Sequence, residues 1–599
     1  MTLAVAINAI FASVSQAHTN SCVSSTDGFW DEARIWSLAK PPSIRQSAIL
    51  ITNAASETIT IDNTTATHFK STLTISNLSI SALSGSDALY LDNTGSIALH
   101  ILNDLIIGIS LNNFGDQEHG GGELLNTNST LIVDGLLGGQ LEDDGTLVIT
   151  GGSLITTNCS LLVGTSFDGL LIISNGVVQA RDISIALGDN AIGTMEVIGG
   201  TMTLSSSLTV ADGFSGTQGY LLVANGCVLV VTNAATTMGA DFYCYGSITV
   251  TNATILASDM GVGEGGGGAL SIEAGTVTLE GSLIFGDQSN GSVSLNGGML
   301  VATNSPTLLG GEMGYGAITV EDGIFLAQEI LVGSEYQSYG IVTVNGGAMH
   351  LSSNLQVGGV GLSSAGVFVN GGQLVVTNSS ISVSGANGGS IAVSGGLLAA
   401  NYINLDVRDI ESGIYNPITG TFVVTGTLAI NGGSVTASTG ITLGDCASNT
   451  LGQIILDDGL MTVTNAAHTG FIDIQNGQLV LSSGLLQVDK LVMTNTCSSF
   501  VHTGGTLIVG GVILDPNAFQ ITSVAREGND LLITWLMAPG QTNALQVSSG
   551  GIHGIYETNG FVDIFIVTNN TIAGSLTNYL DIGAATNKPS RYYRARLSP

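Results

Sequence analysis

A glycine pair, or its Asn-Gly or Asp-Gly equivalent, returns along most of this chain at a spacing of about two dozen residues. Its second residue falls at 152, 176, 200, 226, 298, 323, 347, 372 and 396. Ala-Gly at 275 belongs to the same series, and Ala253 bridges the wide gap after Gly226. A fixed period of this size is the mark of a repeat architecture, in which each unit touches only its neighbours.

The phase of the repeat says more than its length. Three and five residues before each marker lie Leu147/Ile149, Leu171/Ile173, Met195/Val197, Leu221/Val223, Ile248/Val250, Leu270/Ile272, Val293/Leu295, Ile318/Val320, Val342/Val344, Val367/Val369 and Ile391/Val393. All are apolar, as expected of a strand that sends alternate side chains inward. Two residues after each marker a second strand begins at Leu154, Val178, Met202, Val228, Ile255, Val277, Leu300, Phe325, Met349, Leu374 and Leu398. A third follows, as in Leu161-Leu-Val163, Leu283-Ile-Phe285 and Leu355-Gln-Val357, each closed by glycine.

Strands this short leave an apolar face and both edges open when alone. Stacking cures both faults, because equivalent strands pair in parallel at about 4.8 Å and their inward residues form continuous columns. The expected fold is all-β: a single-stranded right-handed parallel β-helix (a β-solenoid of about 24 residues and three short strands per coil), followed by a small β-sandwich-like domain. Register loosens at an insertion over residues 402–421 that carries Asp406, Arg408, Asp409 and Glu411. The phase then resumes with Leu428/Ile430 before Gly433, Ile454/Leu456 before Gly459 and Ile472/Ile474 before Gly477. Asn158, Asn233, Asn304, Asn378 and Asn465 each end a second strand in Thr-Asn, which fits either a ladder of stacked amides or isolated turns.

The expected organisation is a signal peptide over 1–17, an N-terminal cap and first strands over 18–75, solenoid over 76–512 and a small β domain over 518–599. The apolar run from Leu3 to Val14, followed by Ser15-Gln16-Ala17, suits export with cleavage after Ala17. Trp30 and Trp36 read as part of a cap over the open solenoid end, in preference to an aromatic sugar platform. Residues 518–599 hold Lys588, Arg591, Arg594 and Arg596, either a basic strand face or a docking module.

With 44% of residues apolar there is ample material for a core, which excludes disorder. The formal charge of −33 reflects 12 Lys+Arg against 45 Asp+Glu. Between Lys70 and Lys490 only Arg181 and Arg408 are basic, so nucleic acid is excluded as a partner. No segment after the leader has the apolar run of a membrane span. Cys22, Cys159, Cys227, Cys244, Cys446 and Cys497 show no metal-ligand spacing and read as small core or turn residues, with oxidation of some of them left open.

The phased Gly-Gly repeat, the Val-Gly turns at Leu161-Leu-Val-Gly164 and Ile330-Leu-Val-Gly333, the leader and the tryptophan segment resemble the autotransporter/PEP-CTERM-associated repeat proteins of bacteria. The resemblance covers most of residues 25–512 and implies an exported β-helical protein acting at or beyond the cell surface. Residues after the solenoid show no Pro-Glu-Pro signal and are too few for a translocating barrel, which leaves the secretion route open.

No His-Glu-x-x-His, Gly-x-Ser-x-Gly or P-loop is present. One Gly-x-Gly-x-x-Gly spans Gly261–Gly266, but no helix pattern follows and Glu264 would repel a pyrophosphate. Glu264, Asp287, Glu312 and Glu335 each follow a third-strand glycine, so stacking would line them along one edge. Such an edge could hold Ca²⁺ or supply an acid/base pair for glycoside cleavage; the simpler reading is solvated loop charge. No catalytic, cofactor-binding or metal residue and no cofactor is expected. The function read here is a non-enzymatic exported structural or surface, adhesin-like solenoid. The alternatives are a β-helical polysaccharide lyase or glycoside hydrolase, which the scarcity of basic residues disfavours, and a Ca-binding solenoid. Glycans, extracellular matrix and cell-surface components are the partner classes left open.

Overall fold

A computed structural model describes residues 18–599 except 53–55, 83–85, 109–120, 136–138, 142–143, 166, 215, 360–362, 384–387, 406–413, 417–420, 446–449, 496, 515–520, 538–541, 550–559, 570–574, 587–589 and 598–599. The expected signal peptide over 1–17, Cys446, Lys588 and the insertion residues Asp406, Arg408, Asp409 and Glu411 lie outside the described residues. The chain falls into two units: residues 1–341 with 347–349, and residues 342–346 with 350–599.

The first unit is a parallel β-solenoid. Its first strands run in unbroken register, with Leu147 opposite Leu171, then Met195, Leu221, Ile248, Leu270, Val293 and Ile318 in turn. Every member of this column is at most 2% exposed. The period-two alternation predicts this burial because inward side chains have no solvent to reach once coils above and below are in place.

Second strands form an equally buried column, with one exception. Leu229, not Val228, faces inward and pairs with Met202 and Ile255. The turn there is one residue longer: Asn225 and Gly226 are both left-handed, and buried Cys227 takes up the extra residue. A one-residue insertion reverses which face a strand presents.

Two columns of glycine shape the corner where a third strand turns into the next first strand. The residue just after each third strand is left-handed at Gly164, Ala186, Ala211, Gly239, Gly263, Gly286, Gly310 and Gly333. The second column sits near the start of the first strands, where Gly145, Gly169, Gly193, Gly219, Gly246, Gly268, Gly291 and Gly316 stand opposite one another in sequence. At Gly291 a Cβ would lie 2.0 Å from the Val262 carbonyl oxygen and 2.3 Å from the Gly286 nitrogen, so no other residue fits.

Third strands contribute Leu208, Thr236, Met260, Leu283, Thr307 and Ile330 to one inward column. Thr236 and Thr307 are fully buried, and their hydroxyls find no hydrogen-bond partner among the described residues. Replacing Thr307 by the isosteric valine is expected to stabilise the protein by about 1 kcal/mol, since an unsatisfied buried hydroxyl costs roughly that much. A higher melting temperature for Thr307→Val checks it.

At the N-terminal end Trp30 and Trp36 are buried and meet edge-to-face, with centroids 5.3 Å apart. The Trp30 indole donates to the Thr72 carbonyl and the Trp36 indole to the Trp30 carbonyl. Neither ring offers a platform to a sugar.

The second unit repeats the architecture. Val367 stands opposite Ile391, then Leu428, Ile454 and Leu479. This corrects the phase after residue 460: Ile472 and Ile474 are buried, yet they belong to a third strand paired with Ile441 and Leu443. Gly477 pairs with Gly452 and so belongs to the first-strand glycine column. Its coil's first strand is Gly477–Leu481. Gly477 follows Ile472-Asp-Ile474 at the distance at which a marker glycine follows its first strand, which is why it reads as a marker in sequence. The last solenoid strand is Thr506–Leu514.

The five Thr-Asn asparagines lie some three coils apart and do not ladder with each other. Asn233 donates to the Ser205 carbonyl and Asn465 to the Ser438 carbonyl, each capping the coil before. Amide-to-amide contacts occur at the first corner instead, from Asn128 to Asn93 and from Asn370 to Asn345.

After the solenoid, Ile521–Glu527, Asp530–Met537 and Ser575–Asp581 form one antiparallel sheet, and Thr542–Ser548, Val562–Thr568 and Tyr592–Leu597 another. Ile533, Trp535, Met537 and Leu545 are buried between them, with Phe565, Tyr579 and Tyr593 packed alongside. This is the expected sandwich. Its cations are engaged within it: Arg591 with Asp581, Arg596 with Asp563, and Arg594 over the Phe561 ring.

Candidate functional site

The columns that build the core leave the corners as the places where sequence is free to vary. In the first unit the corner between third and first strands varies most. From residue 164 its connections comprise 164–168, 186–192, 211–218, 239–245, 263–267, 286–290, 310–315 and 333–339, that is five, seven, eight, seven, five, five, six and seven residues. In this order the two five-residue connections over 263–267 and 286–290 lie between longer ones, and the stretch of corner from Tyr243 to Tyr339 is called the saddle.

Aromatic residues occupy the corner on either side of these two. Between 145 and 341 every strongly exposed ring belongs to this corner: Phe167, Phe214, Phe242, Tyr243, Tyr245, Tyr315, Tyr336 and Tyr339. Tyr243 is 86% exposed. The Phe214 and Tyr243 connections are neighbours, since the Gly216 N–H donates to the Tyr243 carbonyl. On the other side the Tyr339 N–H donates to the Gly314 carbonyl, which sets Tyr339 one coil from Tyr315. Exposing so many rings costs water-ordering free energy that burying them would avoid. A contiguous apolar patch rimmed by polar groups marks an interaction surface.

The two short connections are rich in glycine and carry carboxylates, and the Glu264 side chain lies back over Gly261 of the strand before it. The connection over 263–267 reads Gly-Glu-Gly-Gly-Gly, and that over 286–290 carries Asp287. Of the four acids predicted to share an edge, the structure brings Glu264 and Asp287 together. Burial, and then the charge of Asp287, pushes the Glu264 carboxyl above its ordinary value. Glu312 and Glu335 stand in the longer connections and are exposed. Asp212 is likewise raised, by burial and then by Asp241. Among the described residues no group of three His, Cys, Asp or Glu is placed to hold a metal ion.

A carboxyl whose folded pKa is raised binds its proton more tightly in the folded chain. Glu264 and Asp212 therefore subtract stability at neutral pH, and the deficit disappears as pH falls through their raised values toward the ordinary carboxylate range. Glu264→Gln is expected to melt above the wild type at pH 7, with the two curves converging near pH 4. A gap independent of pH would show that repulsion between Glu264 and Asp287 is not its cause.

The other reactive groups point away from chemistry. Burial, followed by Glu57, pushes the Cys22 thiol up to about 12, and burial pushes Cys159 and Cys227 to about 11. Such thiols stay protonated and are poor nucleophiles. Cys22, Cys159, Cys227 and Cys244 are free, and Cys497 is in a disulfide. Gly261 lies in the strand Met260–Val262 and the next element is another strand, Gly267–Leu279, so the Gly-x-Gly-x-x-Gly run does not open a helix.

The sequence pointed to the acids of this corner but not to its rings, which are scattered among connections of unequal length. No family model matches this sequence, and no solved structure matches it. The chain is similar to the adhesin BmaC autotransporter of Brucella suis biovar 1 (strain 1330), at 23% identity over 427 residues. The match covers 64% of this chain but 11% of that protein, so the chain spans about a tenth of its relative's length.

Proposed function

We propose that the protein is a surface-exposed, adhesin-like β-solenoid that holds a partner along its side without chemical turnover. The observation that carries this reading is the corner of the first unit, where exposed rings and carboxylates accumulate on the outside of a scaffold whose inward positions are mostly aliphatic. The similarity to an autotransporter adhesin supports the same reading. The solenoid supplies rigidity, because each coil bonds to the coils on both sides.

Export is part of the proposal. Fractionation of cells, protease shaving of intact cells and N-terminal sequencing of the mature chain test it together: a shaved chain that begins at or near His18 supports the reading, and a chain protected in whole cells sinks it. A polysaccharide-cleaving role is the rival. Release of reducing ends or unsaturated sugars from a polysaccharide panel would favour it over adhesion.

A further inference from the structure

The saddle carries an inference about what it holds. Its banks are set by Tyr243 and Tyr245 on one side and by Tyr315 and Tyr339 on the other, all exposed. Tyr245 pairs with Gly267, and Gly291, next to Asn290, pairs with Gly268 and then Gly316. The two banks are thus three coils apart, about 14 Å at a strand spacing of ~4.8 Å. That is room for about two pyranose rings.

We infer that this saddle binds an amine-bearing glycan, a β-linked chain of glucosamine units, with its sugar faces on the tyrosines and its ammonium groups on Glu264 and Asp287. The inference deepens the adhesin-like reading above by naming the partner's chemistry.

Three observations favour this ligand. First, tyrosine rings present a flat apolar body with a polar tip, which suits the C–H face of a pyranose and its hydroxyls. Second, the charge is one-sided: between 145 and 341 the sole Lys or Arg is Arg181, and a row of carboxylates with no nearby cation attracts positive groups and repels uronate or sulfate. A cation over a tyrosine face gains further attraction. Third, the corner's backbone is already used. The N–H groups of Gly263, Gly286 and Gly311 donate to the Met238, Val262 and Gly286 carbonyls of the preceding coils. An extended basic peptide would find no free ladder to join, so strand addition is not on offer.

Binding of a glucosamine oligomer to the purified full chain, followed by titration calorimetry, tests the inference. The oligomer is expected to bind, with affinity falling as salt is raised. The fully N-acetylated oligomer is expected to bind about tenfold more weakly, and polygalacturonate not at all. The double variant Tyr315→Ala/Tyr339→Ala and the double variant Glu264→Gln/Asp287→Asn are each expected to lose about tenfold or more, with melting curves showing that both still fold.

No binding by the wild type overturns the inference. So does binding that survives both double variants, or polylysine binding that matches the oligomer and ignores the tyrosine variant, which would leave a surface of charge alone. Because the measurement uses purified protein, a chain found inside the cell would defeat the surface reading and leave this result standing.

Discussion

Val344→Asp or Leu374→Asp unfolds the surrounding coils of the second unit, with a loss of about 3–5 kcal/mol, the scale for an uncompensated buried charge. Both side chains are fully buried. Thr343, one residue away on the outward face, is partly exposed, so Thr343→Asp is expected to cost less than about 1 kcal/mol. Circular dichroism melts of the three variants make the comparison. The contrast matters more than either value, because the two strand faces differ only in which way the pleat points them. Equal effects would mean the register is wrong.

The second large effect concerns the left-handed corner. Gly286 has φ of 63° and a Cβ there would lie 2.0 Å from the Tyr315 carbonyl oxygen. Gly286→Ala is expected to cost about 3 kcal/mol, from left-handed strain and a backbone collision that cannot relax without moving the next coil. Ala211 occupies the equivalent place with φ of 65°. Ala211→Gly should therefore act in the opposite direction, stabilising by about 0.5–1 kcal/mol after the entropic cost of glycine is subtracted. Chemical denaturation of the pair reads both signs. A destabilised Ala211→Gly would show that the corner tolerates its strained alanine by some compensation elsewhere.

Most of the fold was legible because its rule is local. The pairs from Leu147/Ile149 to Ile391/Val393 are buried without exception. Where reading failed, a local count failed with it. The extra residue at Cys227 moved the inward position from Val228 to Leu229, and Gly477 looked like a turn marker when it belongs to the first-strand column. That column was itself visible as a glycine seven residues before most markers, as at Gly193 before Gly200 or Gly291 before Gly298. What it does is not visible, since the atoms that forbid a side chain there come from the folded corner just upstream and from carbonyls one coil away, as at Gly193.

The site was less legible than the fold. Glu264 and Asp287 are neighbours as their spacing suggested, whereas Glu312 and Glu335 stand exposed in longer connections. Tyr245, Tyr315 and Tyr339 each stand just before a glycine at the start of a first strand, a shared repeat position that was not read, and the other rings follow no period.

By itself the sequence determined the period, the inward columns and the parallel stacking, because alternation and turn residues act within a few positions of one another. Only the tertiary structure decided which glycine serves which corner, and that rings and carboxylates from separate coils share one saddle. Those facts depend on contacts made about two dozen residues apart along the chain but one strand spacing apart in space, beyond the reach of a local pattern.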